Sequence, residues 1–135
     1  MSRSINEGPP GSTAERLEPG RAAFNRGAFF DAHELWEEVW RDLAVGGAER
    51  TVVQGLIQIA AGCHHLQNRR TGPAARLLEK GLVKISAEIP AAVLGSGLHL
   101  PALARGVARM LSQLGAVQDS TAGPADAPDP TDLKL

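Results

Sequence analysis

The chain has 135 residues, 43% of them hydrophobic and 21% charged, which suits one small domain with a single hydrophobic core. Its 14 basic and 15 acidic residues give a net charge of -1, and this balance argues against a general polyanion-binding protein, which normally carries a basic excess. The single cysteine, Cys63, excludes an intrachain disulfide and lies in an apolar run, where a core position is expected.

Both ends of the chain have the composition of disordered segments. Residues 1–11 are polar and rich in Gly and Pro, and residues 116–135 contain three prolines and few large apolar groups. We therefore expect one domain over residues 12–115, between a disordered arm and a disordered tail. The start lacks an apolar signal-peptide core, and no apolar run reaches the roughly 18 residues of a membrane span, so a cytoplasmic protein without membrane contact is expected.

Helix one is predicted to begin with a capping box of Ser12 and Glu15 and to be interrupted at Pro19-Gly20, ending near Arg26. Helix two is predicted from about Ala28 to Ala44 because apolar and polar residues fall on opposite faces at 100° per residue. The apolar face comprises Phe29, Ala32, Trp36, Val39, Trp40 and Leu43, and the polar face Asp31, Glu34, Glu38 and Asp42. All aromatic residues lie between positions 24 and 40, so we expect them to hold this region together.

Three further helices are predicted. Helix three, from about Ala48 to Asn68, is apolar almost all round, as expected for the central helix of a bundle. After a turn with Pro73 in the first turn of the next helix, helix four runs to about Ile89, and helix five covers about Leu100 to Leu114. The core candidates on helix four are Leu77, Leu78, Leu82, Val83 and Ile85. With no competing strand signal, the sequence predicts an all-α, single antiparallel bundle of four to five helices.

Two polar stripes interrupt the apolar pattern. On helix two, His33 and Glu37 are four residues apart and lie one above the other, and Arg41, four further on, can pair with Glu37. On helix three, Gln54, Gln58 and His65 share one azimuth. If the two helices form an antiparallel hairpin, the stripes meet as one polar cluster flanked by Trp36 and Trp40.

The cluster has three interpretations. It could be a hydrogen-bond network that only sets helix register, since buried polar groups can specify packing. It could be a ligand or catalytic site, because a histidine beside a carboxylate is the minimum for acid-base chemistry. It could hold a metal ion, for which His33, Glu37 and His65 are acceptable ligands. The spacing is not the two-histidine zincin motif, because Glu37 stands where the second histidine would be.

Two segments resemble domain-of-unknown-function family 309, a family of small prokaryotic proteins. Phe24 to Arg41 reads FNRGAFFDAHELWEEVWR, and Gln54 to His65 reads QGLIQIAAGCHH. The resemblance covers about residues 20–114, with Pro73 standing where the family often has glycine. It implies a helical bundle and no assigned activity, and it assigns Asn25 and Gly27 to a turn. The motif residues that it singles out are His33, Glu34, Glu37, Arg41, Gln54, Gln58 and His65.

The leading functional hypothesis is a site for a small molecule or a divalent metal ion, conceivably hydrolytic. His33 would be base or ligand, Glu37 its partner, and Gln54 and Gln58 would position the substrate, beside Trp36 and Trp40. The alternative is a non-enzymatic interaction module, a homo-oligomer or partner-binding bundle, in which the cluster is structural. Nucleic-acid binding would need the basic cluster of Arg69, Arg70, Arg76 and Lys80, which we interpret instead as a solvated surface.

Overall fold

The computed structural model describes residues 12–86, 98–119 and 128–135. These residues form five α-helices and one 3-10 turn, with no strand among them: α1 (Thr13–Asn25), α2 (Phe29–Arg41), α3 (Ala48–Gln67), α4 (Thr71–Ile85), α5 (Leu100–Asp119) and the turn Pro130–Asp132. Each helix packs against the next one along the chain, and α3 lies between α2 and α4. The predicted all-α architecture is confirmed. The predicted arm over 1–11 and the predicted helical residues 87–89 lie outside the described residues.

Helix α1 begins as predicted but is not broken at Pro19-Gly20. The Ser12 main-chain N–H donates to Oε1 of Glu15 at 2.8 Å, and the Glu15 N–H donates to the Ser12 hydroxyl at 3.2 Å. The expected interruption is wrong, because α1 runs continuously through Pro19. The missing N–H of Pro19 costs one helical hydrogen bond, and packing of the helix against α2 offsets that cost.

The contact between Gly20 and Trp36 shows why a glycine occupies this helix interior. A Cβ added at Gly20 would collide with the Trp36 indole, so the ring can lie against α1 only where no side chain intervenes. The indole N–H donates to the Leu17 carbonyl at 3.0 Å, which satisfies the polar atom of a fully buried tryptophan. Phe24 and Phe29 complete this aromatic core, with ring centroids 5.0 Å apart.

The predicted apolar face of α2 is largely confirmed. Phe29, Ala32, Trp36 and Val39 are buried, and the helix ends at Arg41, three residues before the predicted Ala44. Phe30, which was expected to help hold the aromatic region together, is instead 52% exposed. Its place one residue after the buried Phe29 turns it about 100° away from the core.

Helices α3 and α4 approach closely through glycines. A Cβ at Gly55 would lie 2.8 Å from the Cβ of Lys84, and one at Gly81 would lie 2.7 Å from the Gly55 carbonyl oxygen. Cys63 is fully buried on α3, as predicted. Val83 was predicted to be in the core and is 68% exposed, because it lies on the side of α4 away from α3.

The last eight residues differ from the expected disordered tail. Leu133 and Leu135 are buried, and the Leu135 N–H donates to Oδ1 of Asn25 at 2.7 Å. Nε of Arg21 donates to the Leu135 carbonyl oxygen at 2.8 Å. Helix α5 also continues to Asp119 instead of ending at Leu114. None of the helices in the described part of the chain is long and apolar enough to cross a membrane.

Candidate functional site

Helices α2 and α3 form an antiparallel hairpin that brings His33 of one polar stripe and His65 of the other to the same pocket. At one end, the Arg50 guanidinium lies 3.8 Å over the Trp40 ring, and its Nε donates to the Trp40 carbonyl at 3.3 Å. At the other end, the rings of Phe30 and His64 have centroids 5.3 Å apart. Trp40 of α2 thus meets Arg50 of α3 at one end, and Phe30 of α2 meets His64 of α3 at the other. This is the antiparallel arrangement that the sequence predicted.

His33 lies between two carboxylates on the exposed side of α2. Its Nε2 lies 3.5 Å from Oε2 of Glu37, and its Nδ1 lies 3.3 Å from Oε2 of Glu34. The second contact is electrostatic, because Nδ1 is buried and has no hydrogen-bond partner of acceptable geometry among the described residues. One ligand atom from each of the three residues can be chosen so that all pairs lie within 4.8 Å.

Glu37 also faces Arg41, as the spacing predicted. Oε1 of Glu37 lies 3.5 Å from Nη2 of Arg41, whose side chain is 63% exposed. An exposed pair of this kind stabilises a helix by about 0.3–0.5 kcal/mol. Arg41 therefore balances the charge of Glu37 without holding it in one position.

A pocket of about 210 Å³ opens beside His33, between the two helices. It is lined by Phe30, His33, Ala61, His64 and His65. The Phe30 ring stacks on the His33 ring at 5.8 Å with an interplanar angle of 28°, and it also contacts His64. Three of these lining residues were not among the predicted site residues: Phe30, Ala61 and His64.

His65 lines the same pocket, and its surroundings favour the neutral imidazole. Burial lowers the pKa of His65, and electrostatic interactions with Arg70 and His64 lower it further. Its Nδ1 is buried without a hydrogen-bond partner in the described residues. His65 belongs to the pocket as predicted, but it is not part of the group that could share a metal ion, where Glu34 takes its place.

The two glutamines lie further along the hairpin, outside the pocket lining. Both are half-buried on α3, and the Oε1 of Gln58 is buried without a hydrogen-bond donor in the described part of the chain. The antiparallel register places Gln58 near the level of Glu37 and Gln54 near the level of Arg41. Their proposed role in positioning a substrate remains a prediction.

Neither tryptophan flanks the pocket. Trp36 is fully buried against α1 with its N–H satisfied by Leu17, so it belongs to the core. Trp40 is half-buried at the far end of the hairpin and is covered by Arg50. The expectation that both rings border the site does not hold for this pocket, because Trp36 packs against α1 and Trp40 packs against Arg50 at the opposite end of the hairpin.

Other polar candidates are remote or solvated. Burial raises the pKa of the Cys63 thiol far above its ordinary range, so the thiolate is not available at neutral pH. His99 is exposed, as expected. The residues of the predicted basic cluster are also exposed: Arg69, Arg70, Arg76 and Lys80.

Fold and site together define the class: an all-helical protein with a histidine–carboxylate cluster on the hairpin of its second and third helices. The model of the family described as "Domain of unknown function (DUF309)" matches residues 17–77, and this part of the chain is a DUF309 domain. The match begins at Leu17 within α1 and runs through α2 and α3 into the first turns of α4, so it includes the whole candidate site. The resemblance drawn from the motifs extended to about residue 114. No match was found among curated proteins or among solved structures.

Proposed function

We propose that this protein binds a divalent transition-metal ion through His33, Glu34 and Glu37. The observation that carries the proposal is that one imidazole nitrogen and two carboxylate oxygens lie within 4.8 Å of one another on α2, where Glu34 is exposed and His33 and Glu37 are half-buried. Zinc accepts histidine nitrogen at about 2.0–2.1 Å and carboxylate oxygen at about 2.0–2.2 Å, so two ligand atoms on one ion lie roughly 3–3.5 Å apart. The 3.5 Å between Nε2 of His33 and Oε2 of Glu37 is already of this size.

The available nitrogen on His33 is Nε2. Nδ1 is buried, whereas Nε2 faces Glu37 across a 3.5 Å gap. Glu34 is more than half exposed, so its carboxylate is free to turn towards an ion bound at Nε2. The exposed ion pair of Glu37 with Arg41 opens at little cost. A mixed nitrogen and oxygen ligand set suits zinc, iron(II) or manganese(II).

Titration of the full-length, EDTA-treated protein with ZnCl2 and MnCl2 in a calorimeter tests this proposal. We expect one equivalent to bind, and we expect Glu37→Gln to weaken binding at least tenfold, because even residues that merely orient a ligand are worth about 10- to 100-fold. Glu38→Gln is the matched control, since it makes the same chemical change at the next, exposed position of α2. Equal affinities of the two variants, or no saturable binding by the unaltered protein, would overturn the proposal.

Metal-assisted hydrolysis is the activity that such a site would support best. Three protein ligands leave a coordination position for water, as in catalytic zinc sites, and a bound metal ion lowers the pKa of that water to about 7. In this proposal His33 is a ligand and not the general base, and the organic part of the substrate lies in the neighbouring pocket. Turnover of p-nitrophenyl esters by the zinc-loaded protein, lost in His33→Ala, would support hydrolysis. A zinc-bound protein with no turnover above free zinc would leave metal binding as the function.

The interaction-module alternative stays a prediction. Three large apolar side chains are prominently exposed in the described residues: Phe30, Val45 and Val83. They lie on α2, on the loop after it and on α4, and singly exposed apolar residues are ordinary on protein surfaces. We therefore place the function in the α2–α3 site.

A further inference from the structure

The pocket beside the carboxylate cluster is walled by rings. Phe30 contacts both His33 and His64, and Ala61 lies on α3 within the same lining. Phe30 is 52% exposed. A planar apolar surface kept open to solvent beside two other rings is suited to stacking with a planar ligand.

The size of the pocket limits that ligand to one or two rings. Its volume is about 210 Å³. An apolar cavity of about 150 Å³ is large enough to bind benzene. The pocket therefore has room for one or two aromatic rings.

The charge beside the pocket is negative at the His33 edge, where Glu34 and Glu37 lie, and positive at the end where α3 stops. None of the five lining residues is acidic. The Arg70 N–H donates to the His65 carbonyl at 2.9 Å, which places Arg70 directly after the turn that closes α3. The Arg70 guanidinium is exposed and makes no ion pair with any described residue, and it lies close enough to His65 to lower the pKa of that ring.

From these contacts we infer that the pocket binds a small aromatic carboxylate, with its ring against Phe30 and His64 and its carboxylate directed to Arg70. Arginine is suited to this role because its planar fork of donors matches a carboxylate. The inference goes beyond the proposed metal site and does not need it, since Phe30, His64 and Arg70 lie outside the proposed metal-ligand set. Binding of such an acid would also leave Glu34 and Glu37 available to bind a metal ion.

Titration of the full-length protein with indole-3-carboxylate, followed through the histidine ring signals in NMR spectra, tests the inference. EDTA is present throughout, so that failure of the metal proposal leaves this result unaffected. We expect saturable shifts of the His64 and His65 signals, and weaker binding of indole-3-carboxamide, which has the same ring without the charge. Phe30→Ala should weaken binding of the carboxylate about tenfold through loss of ring contact.

Arg70→Gln should weaken binding of the carboxylate several-fold and leave binding of the carboxamide unchanged, because the amide has no charge for Arg70 to neutralise. Arg76→Gln is the matched control, since Arg76 is an exposed arginine on α4 that, unlike Arg70, has no electrostatic influence on His65. Both Phe30 and Arg70 are exposed, so their variants should fold. No saturable shift at millimolar concentration, or equal affinities of the Phe30→Ala, Arg70→Gln and Arg76→Gln proteins for the carboxylate, would overturn the inference.

Discussion

Nε2 of His33 lies 3.5 Å from Oε2 of Glu37, one helical turn further along α2. The same imidazole faces Glu34 on its other side, so one histidine is bracketed by two carboxylates at the edge of a pocket. The core does not require this arrangement, because Phe29, Trp36 and Val39 on the buried face of α2 already hold the helix in place. We therefore expect substitution of His33, Glu34 or Glu37 to have little effect on folding.

Gly20→Ala should destabilise the fold by about 1–3 kcal/mol, the usual cost of overpacking a core. The added methyl group would collide with the Trp36 indole, and the ring must then shift and weaken its hydrogen bond to Leu17. Urea unfolding followed by circular dichroism measures the change. Gly115→Ala on α5 is the control, since no atom lies within 4 Å of a Cβ at that position. It should be neutral or slightly stabilising, and equal destabilisation of both variants would contradict the account of α1.

His65 should make the stability of the metal-free protein depend on pH. Burial lowers the pKa of folded His65, whereas the unfolded side chain titrates near its ordinary value of about 6.5. Below that value the unfolded chain binds more protons than the folded chain, so the free energy of unfolding falls as the pH falls. Above that value the contribution of His65 to the free energy of unfolding no longer changes with pH. Thermal melts between about pH 5 and 8 should show this slope, centred below the ordinary histidine value of about 6.5.

The His65→Gln variant separates this effect from other titrations. Its melting temperature should vary less between about pH 5 and 6.5 than that of the unaltered protein. His99→Gln is the control, because His99 is exposed in the segment before α5. A His65→Gln protein with an unchanged slope would show that His65 is not the titrating group.

Cys63 should be unreactive in the folded protein. Its side chain is fully buried on α3, and burial raises the pKa of the thiol, so neither the thiolate nor an access path is present at pH 8. Treatment with DTNB should release almost no thionitrobenzoate until guanidinium is added, and then one equivalent per chain. Rapid reaction under native conditions would mean that α3 opens locally.

The periodicity of the sequence was sufficient to predict the hairpin that carries the site. The apolar stripe of α2 and the nearly all-apolar α3 have their helical period in the sequence itself, and the short connection between them favours antiparallel neighbours. His33 and Glu37 follow directly from the spacing of four residues. The antiparallel hairpin was the reason to expect His33 on α2 close to His65 on α3.

The rest depended on tertiary contacts that local patterns do not encode. Phe30 and His64 meet across the hairpin although neither lies on a predicted polar stripe, so sequence spacing gave no reason to join them. Pro19 is tolerated inside α1 because packing outweighs local helix propensity. At the end of the chain, the proline-rich composition concealed two leucines, Leu133 and Leu135, that the fold buries.

Anomalous diffraction at the zinc absorption edge, from crystals of the full-length protein grown with ZnCl2, tests the proposed metal site most directly. We predict one strong peak at about 2.0–2.2 Å from Nε2 of His33 and from carboxylate oxygens of Glu34 and Glu37. The pocket lined by Phe30 and His64 should open beside that peak. A fully zinc-equilibrated crystal without a peak at His33, or with zinc held by other residues, would contradict the proposal that this cluster is a metal site.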